Sequence, residues 1–305
     1  MAALIGRATE ELTHFVGPRL GGLLNATFGN AAELIIAFAA LREGLTTLVK
    51  ASITGSIIGN SLLVLGISLV AGGLRARILS FDPREAGRHS ALMLLAVAAL
   101  LFPAVFAFTN PQASLEPLSD LLALVLLAAY GAYLVFLVTE GVPQPSHAPE
   151  GRWSLTISLV ALAVSTSLTV LFSELLVARV EGVIQSIGLS ELFVGVMLIP
   201  IVGNIAEHFS AVQFAYRGKL DTTLAIAAGS STQIALFVAP LLVLMGLVLG
   251  LPMTLLFHPL EIAVLVGSVA IFAFICLDGE SNWLEGVMLL GLYAMAGAAF
   301  FLSTS

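Results

Sequence analysis

The chain has 305 residues, of which 59% are hydrophobic and only 10% charged, with a mean hydropathy of +1.06. Soluble domains carry about 25% charged residues, so most of this surface is expected to face lipid. A net charge of -7 and the absence of a basic cluster argue against nucleic-acid binding.

Long apolar stretches alternate with short polar breaks. They give nine candidate spans at about 20–42, 52–74, 89–109, 118–139, 153–176, 188–215, 222–249, 257–277 and 283–302. Residues 1–16 lack the apolar core of a cleavable signal peptide. The 140–152 stretch, EGVPQPSHAPEGR, holds three prolines and no periodicity. It reads as a linker between a first half at 1–139 and a second half at 153–305. The single cysteine, Cys276, rules out an intrachain disulfide and reads as a packing residue. No Cys/His cluster suggests zinc.

Lysine and arginine set the expected orientation. Counting one crossing per span, one side receives Arg7, Arg19, Arg75, Arg77, Arg84, Arg88, Arg152, Arg217 and Lys219. The other side receives Arg42, Lys50 and Arg179. The 75–88 loop is therefore expected to be cytoplasmic, with Ser305 on the outer face. A prokaryotic cell (inner) membrane is the expected location.

Two segments resemble each other. Gly29, Asn30, Ala31, Ala32 and Glu33 are matched by Gly203, Asn204, Ile205, Ala206 and Glu207, at an offset of 174 residues. The same offset takes Gly44 to Gly218 and Gly55-Ser56 to Gly229-Ser230. This pattern predicts an internal duplication. An odd number of crossings separates the copies, so they should be inverted, as in secondary transporters whose sites lie at mid-membrane. Shifted back by the same offset, the 153–176 span falls largely before Met1. The first half is therefore expected to lack its opening helix.

Glu33 and Glu207 are the leading site candidates. A carboxylate inside a span costs about 2.5–3.5 kcal/mol on insertion scales. The bland alternative is a structural hydrogen bond between helices. Asn30 and Asn204 each precede their glutamate by three residues and share its helical face. Gly29, Gly203 and Pro200 weaken the surrounding helix, and broken helices free carbonyl oxygens to line a polar cavity. Two carboxylates, two amide oxygens and such carbonyls suit Ca2+, which takes six to eight oxygens at about 2.3–2.6 Å. Mg2+ holds its waters more tightly and fits less well, and Mn2+ is the open alternative. Two close, desolvated carboxylates also resist double ionisation, so protons should occupy the site when the cation leaves.

Supporting groups follow. Ser56 and Ser230 each lie 23 residues after a glutamate, with Asn60 and Gln233 one turn further on. The serines could equally bond their own backbone; Gln233 reads as a ligand or gate residue. His208 points about 100° away from Glu207. It is either an interhelical hydrogen-bonding group or a proton acceptor or gate. Glu174 is either a second proton site or entrance acid, or an interfacial structural residue near Arg179. Glu10, Glu11, Glu181, Glu191 and Glu261 read as solvated span-end charges.

GNAAELIIAFAALREG (29–44) and GNIAEHFSAVQFAYRGKLD (203–221) resemble the two alpha-repeats of the calcium/proton exchanger (cation/proton exchanger) family, within the calcium/cation antiporter superfamily. ASITGSIIGNSLLVLG (51–66) and AIAAGSSTQIALFVAP (225–240) continue the likeness. The resemblance implies an all-α integral membrane protein with a ten-helix inverted-repeat core. It implies that Glu33 and Glu207 carry cation and proton in turn, with Asn30, Asn204, Ser56, Ser230 and Gln233 lining the site. The Glu207-His208 pair looks like the proton-coupled branch. The expected function is Ca2+/H+ antiport by alternating access, with no cofactor. The bilayer, Ca2+ and H+ are the expected partners. Sodium-coupled exchange is the near alternative, and a cation channel is another. An intramembrane enzyme fits poorly, because HExxH and GxSxG motifs are absent.

Overall fold

The computed structural model describes residues 1–141 and 153–303. The proposed linker at 140–152 lies almost wholly outside the described residues. The described elements are helical apart from one short strand pair. The elements are α1 (Ala2–Phe28), α2 (Ala31–Arg42), α3 (Thr46–Ile58), α4 (Leu65–Gly73), β1 (Leu79–Ser80), α5 (Pro83–Thr109), α6 (Glu116–Phe136), α7 (Leu155–Ile187), α8 (Glu191–Phe193), α9 (Ile199–Tyr216), α10 (Leu220–Gln233), α11 (Ala239–Leu249), α12 (Pro259–Ile275), β2 (Glu280–Ser281) and α13 (Trp283–Leu302).

Helix ends follow local chemistry. Asp82 caps α5 by accepting from the Arg84 amide at 2.8 Å, with Pro83 in the first turn. Ser154, Ser190 and Asn282 cap α7, α8 and α13 in the same way. Gly188 and Gly250 end α7 and α11 in the left-handed conformation. Strands β1 and β2 pair antiparallel, Leu79 against Ser281, and tie the end of α4 to the start of α13.

Among the described residues, six helical segments are long and apolar enough to cross a membrane: Thr46–Gly73, Pro83–Thr109, Glu116–Thr139, Leu155–Val180, Leu220–Leu249 and Trp283–Leu302. A bent pair, Glu191–Ile205 and Glu207–Tyr216, makes a seventh, and Pro259–Ile275 is a shorter apolar helix. The predicted first span at 20–42 is not one helix. The chain breaks at Gly29 and Asn30, where Asn30 leaves helical geometry at φ -100 and ψ 21. Residues 1–16 are not separate from it either, since α1 is one helix of 27 residues packed along α7.

The segments sort into inner and outer layers. Thr46–Gly73 is 83% buried in its most apolar stretch, whereas Glu116–Thr139 and Leu155–Val180 are each 17% buried. Outer helices present Phe102, Phe108, Leu121 and Val135 outwards, as lipid contact requires. α3 with α4, and α10 with α11, form the protected centre. Each of these pairs is joined through a π-helical turn, Gly59–Val64 in one and Ile234–Val238 in the other. The two turns coincide within a residue at the offset of 174. Gly44 and Gly218, also 174 apart, both adopt the left-handed conformation, at φ 79 and 76. Packing follows the same correspondence: α3 lies on α12 as α10 lies on α5, and α4 lies on α13 as α11 lies on α6.

Candidate functional site

Two broken helices meet at the centre. In the first, Gly29 and Asn30 interrupt the chain and Glu33 sits in the first turn of α2. There a carboxylate also faces the positive end of the helix. In the second, the direction changes by 70° between Glu191–Ile205 and Glu207–Tyr216, so Glu207 opens the second limb. Each glutamate thus stands just past a break.

The limbs run in opposite directions. A Cβ on Gly55 would meet Val196 and Pro200, and one on Gly72 would meet the Ala215 carbonyl. The α3–α4 segment is therefore parallel to α9. Since α2 turns back into α3 through the short 43–45 loop, α2 and α9 are antiparallel. Ser56 lies ten residues into the Thr46–Gly73 span, or about 15 Å along it. This is half of a hydrocarbon core of about 30 Å.

Asparagines of each half bond serines of the other. Ser230 Oγ donates to Asn30 Oδ1 at 2.9 Å, and Asn30 Nδ2 donates to Gln233 Oε1 at 2.5 Å. Asn204 Nδ2 donates to Ser56 Oγ at a longer 3.4 Å. Ser230 is also the hydrogen-bonding neighbour of the Glu207 carboxyl. Glu33 and Glu207 lie within Coulombic range of each other. Glu33 Oε2, Glu207 Oε2 and Asn204 Oδ1 are buried without a hydrogen-bond partner among the described residues. Three such acceptor oxygens are costly unless a proton or a cation meets them.

A crevice of about 360 Å3 reaches part of this cluster. It is lined by Glu33, Ser52, Ser56, Pro200, Gly203 and Asn204 among apolar groups. A second cavity of about 260 Å3 shares Ile36, Ala37, Ser52 and Ile199 with it and extends to Ala40, Leu48 and α7. Both lie between the carboxyl pair and the 43–45 loop. Ser52 on this path was not singled out from sequence. It stands one turn before Ser56, and that spacing was its available signal.

The other expected site residues divide. Asn60 is 2% exposed in the π-turn after α3, with Nδ2 unpartnered among the described residues. His208 is half-buried beside Glu207. Glu174 does not join the site: it is exposed on α7 and lies 3.9 Å from Arg42, also exposed. This fits the interfacial alternative, with Arg42 from the end of α2, not Arg179, as the basic neighbour. Glu261 is likewise no solvated span-end charge. It is 2% exposed, and accepts from Thr54 Oγ1 and from the His258 amide.

The fold and these buried oxygens define a polytopic helical membrane protein with broken helices at mid-depth. Residues 1–139 and 157–302 match the family described as sodium/calcium exchanger protein. The chain belongs to that family, among its calcium/proton exchangers. It is similar to a Ca(2+)/H(+) antiporter of Aphanothece halophytica, 45% identical over 99% of this chain and 87% of the relative. It is 43% identical to the Ca(2+)/H(+) antiporter ChaA of Bacillus subtilis, over 99% of this chain and 89% of that one. The solved structure of native YfkE superposes with a TM-score of 0.86 at 40% identity, covering 99% and 88% of the two chains.

Proposed function

We propose that this protein exchanges Ca2+ for protons across a membrane by alternating access, with Glu33 and Glu207 as the shared binding pair. The observation that carries this reading is the meeting of two carboxyls at antiparallel helix breaks, each keeping a buried, unpartnered oxygen. Asn30 and Asn204 supply amide oxygens. Ser56, Ser230 and Gln233 hold those amides in place. The 42–45% identity to Ca(2+)/H(+) antiporters supports the choice of ions.

Exchange follows from charge balance. A divalent cation stabilises two ionised carboxylates, and without it at least one is protonated because two buried negative charges repel. A site that is empty and fully ionised is too costly to carry through the membrane interior. Only loaded or protonated forms then change sides, which couples the two ions.

The division into half-repeats at 1–139 and 153–305, related by inversion, belongs to the same proposal. So does placement in a prokaryotic inner membrane with the 75–88 loop cytoplasmic. The matching element boundaries and the arginine distribution support them.

Proteoliposomes test the reading. With an imposed pH gradient and no Na+, the purified protein is expected to move Ca2+. Glu33→Gln and Glu207→Gln should each abolish that movement. Uptake that required Na+ would point to sodium coupling instead, and normal exchange in either variant would end the proposal.

A further inference from the structure

The crevice explains access from one side only. Towards the 75–88 side, the carboxyl pair is closed off by the packing of α4 against α9. Two features of that seam are unusual for a permanent core. Asn60 Nδ2 and Ser68 Oγ are buried donors with no partner among the described residues, in side chains 2% and 0% exposed. Leaving such groups unmet costs free energy, whereas apolar replacements of similar shape would not.

Their positions form a series. Ser56, Asn60 and Ser68 fall at multiples of four along one helical segment, interrupted by the π-turn. The parallel register set by Gly55 on Val196 and Gly72 on Ala215 places Asn60 at the level of the 203–207 segment. Ser68 falls at the level of Ala211, further towards the 75–88 loop. The second half offers a comparison. Residues 174 later are Ile234 and Leu242, both buried and apolar. That position in the fold therefore accepts apolar side chains, and the polar pair in the first half is not needed for packing.

The far end of the seam is clasped. Arg75 Nη1 donates to the Tyr216 carbonyl at 3.4 Å, and its guanidinium lies 5.7 Å from the Tyr216 ring centroid. Arg75 follows α4 and Tyr216 ends α9. Between clasp and site, the backbones approach closely at Gly72, where the buried Leu79 side chain packs beside the Ala215 carbonyl.

We propose that the α4–α9 seam is the second half of the ion path, closed in this structure. Asn60 and Ser68 line it in the open form, and Arg75 with Tyr216 latches it. When α9 leans away, the amide and the hydroxyl meet water and cations instead of each other's apolar surroundings. This rests on the exchange reading above, and it assigns the route on the 75–88 side.

The test uses thiol accessibility in the full chain. Cys276 is replaced by alanine, and Asn60→Cys or Ser68→Cys is added. Each variant is reconstituted and first checked for Ca2+/H+ exchange. A membrane-impermeant methanethiosulfonate is then applied from either side. Labelling is expected from the 75–88 side and not from the other. Adding Arg75→Ala should speed it about two- to tenfold, the shift one net hydrogen bond is worth. If variants that still exchange are labelled from neither side, or only from the 43–45 side, the seam proposal fails while the exchange reading stands. Unchanged labelling with Arg75→Ala would overturn the latch. Loss of exchange in the parent protein would instead count against the function. If one cysteine prevents folding, the other carries the test.

Discussion

Ser230 donates its hydroxyl proton to Asn30 Oδ1 at 2.9 Å while also bordering the Glu207 carboxyl. A hydroxyl has one proton to give. When Glu207 is neutral it can donate to Ser230, and the chain runs on through Asn30 to Gln233. When Glu207 is ionised, the Ser230 proton is better spent on the carboxylate, because charge-assisted hydrogen bonds are stronger. Asn30 Oδ1 is then free to meet a cation. Its counterpart Asn204 Oδ1 is already without a partner among the described residues. Ser230→Ala should therefore raise the KM for Ca2+ by about two- to tenfold, the worth of one net hydrogen bond. Ser56→Ala should do less, because its bond from Asn204 is longer, at 3.4 Å. Initial-rate measurements on both variants decide this, and equal effects would remove the asymmetry.

Competition between protons and Ca2+ for one carboxyl pair fixes the sign of the pH dependence. Acidifying the side from which Ca2+ enters should raise its apparent KM, since ligands must be deprotonated to bind metal. The expected slope is about tenfold per pH unit for each proton displaced. Acidifying the opposite side should speed entry by supplying the counter-ion. The two are separated by setting each side's pH independently in proteoliposomes. A KM indifferent to pH on the entry side would mean that protons bind elsewhere.

The turns that carry α2 into α3 and α9 into α10 depend on glycine. Gly44 and Gly218 sit at φ 79 and 76. The following amides close the turn, Leu45 to the Ala40 carbonyl and Lys219 to that of Phe214. An alanine at either site faces open space but carries the left-handed penalty, about 1–2 kcal/mol. Gly44→Ala and Gly218→Ala should each lower the thermal midpoint in detergent. Gly87→Ala, inside α5 and also facing open space, should hold or raise it. A Gly44→Ala protein as stable as the parent would contradict the turn geometry.

Much of this arrangement was legible in the sequence because it is written twice. Glu33 with Asn30 and Glu207 with Asn204 stand out as polar groups repeated at one offset inside apolar runs. What the offset does not specify is the crossed bonding, Asn30 to Ser230 and Asn204 to Ser56, which exists only once the halves interlock. The break at Gly29 and Asn30 was signalled by Gly29, but the apolar stretch at 20–42 is long enough that the span was drawn straight across it. For Glu174 the sequence left two readings open, and its ion pair is with Arg42 rather than with Arg179, the basic residue nearest in sequence. The π-turns carry no composition signal, since their residues are as apolar as the helices they join.

Glu261 shows the same limit and gives a further test. A carboxylate two residues after the proline that opens α12 looks like an exposed first-turn charge. In the structure it is buried and closes a capping box with His258, and it accepts from Thr54 two residues before Ser56. Lys50, one turn earlier on α3, donates to Thr254 Oγ1 and the Leu256 carbonyl at 3.0 Å each. Together these bonds fix α3, and with it Ser52 and Ser56, to the 254–261 segment. Glu261→Ala should destabilise the protein by about 1–3 kcal/mol, since it leaves the His258 amide without its partner and returns the Thr54 hydroxyl to the Lys50 and Ala51 carbonyls of its own helix. Thr54→Val, which leaves the capping box intact, should cost less. Chemical unfolding in detergent ranks the two. If Glu261→Ala proved no less stable than Thr54→Val, the carboxylate would not be the anchor of α3.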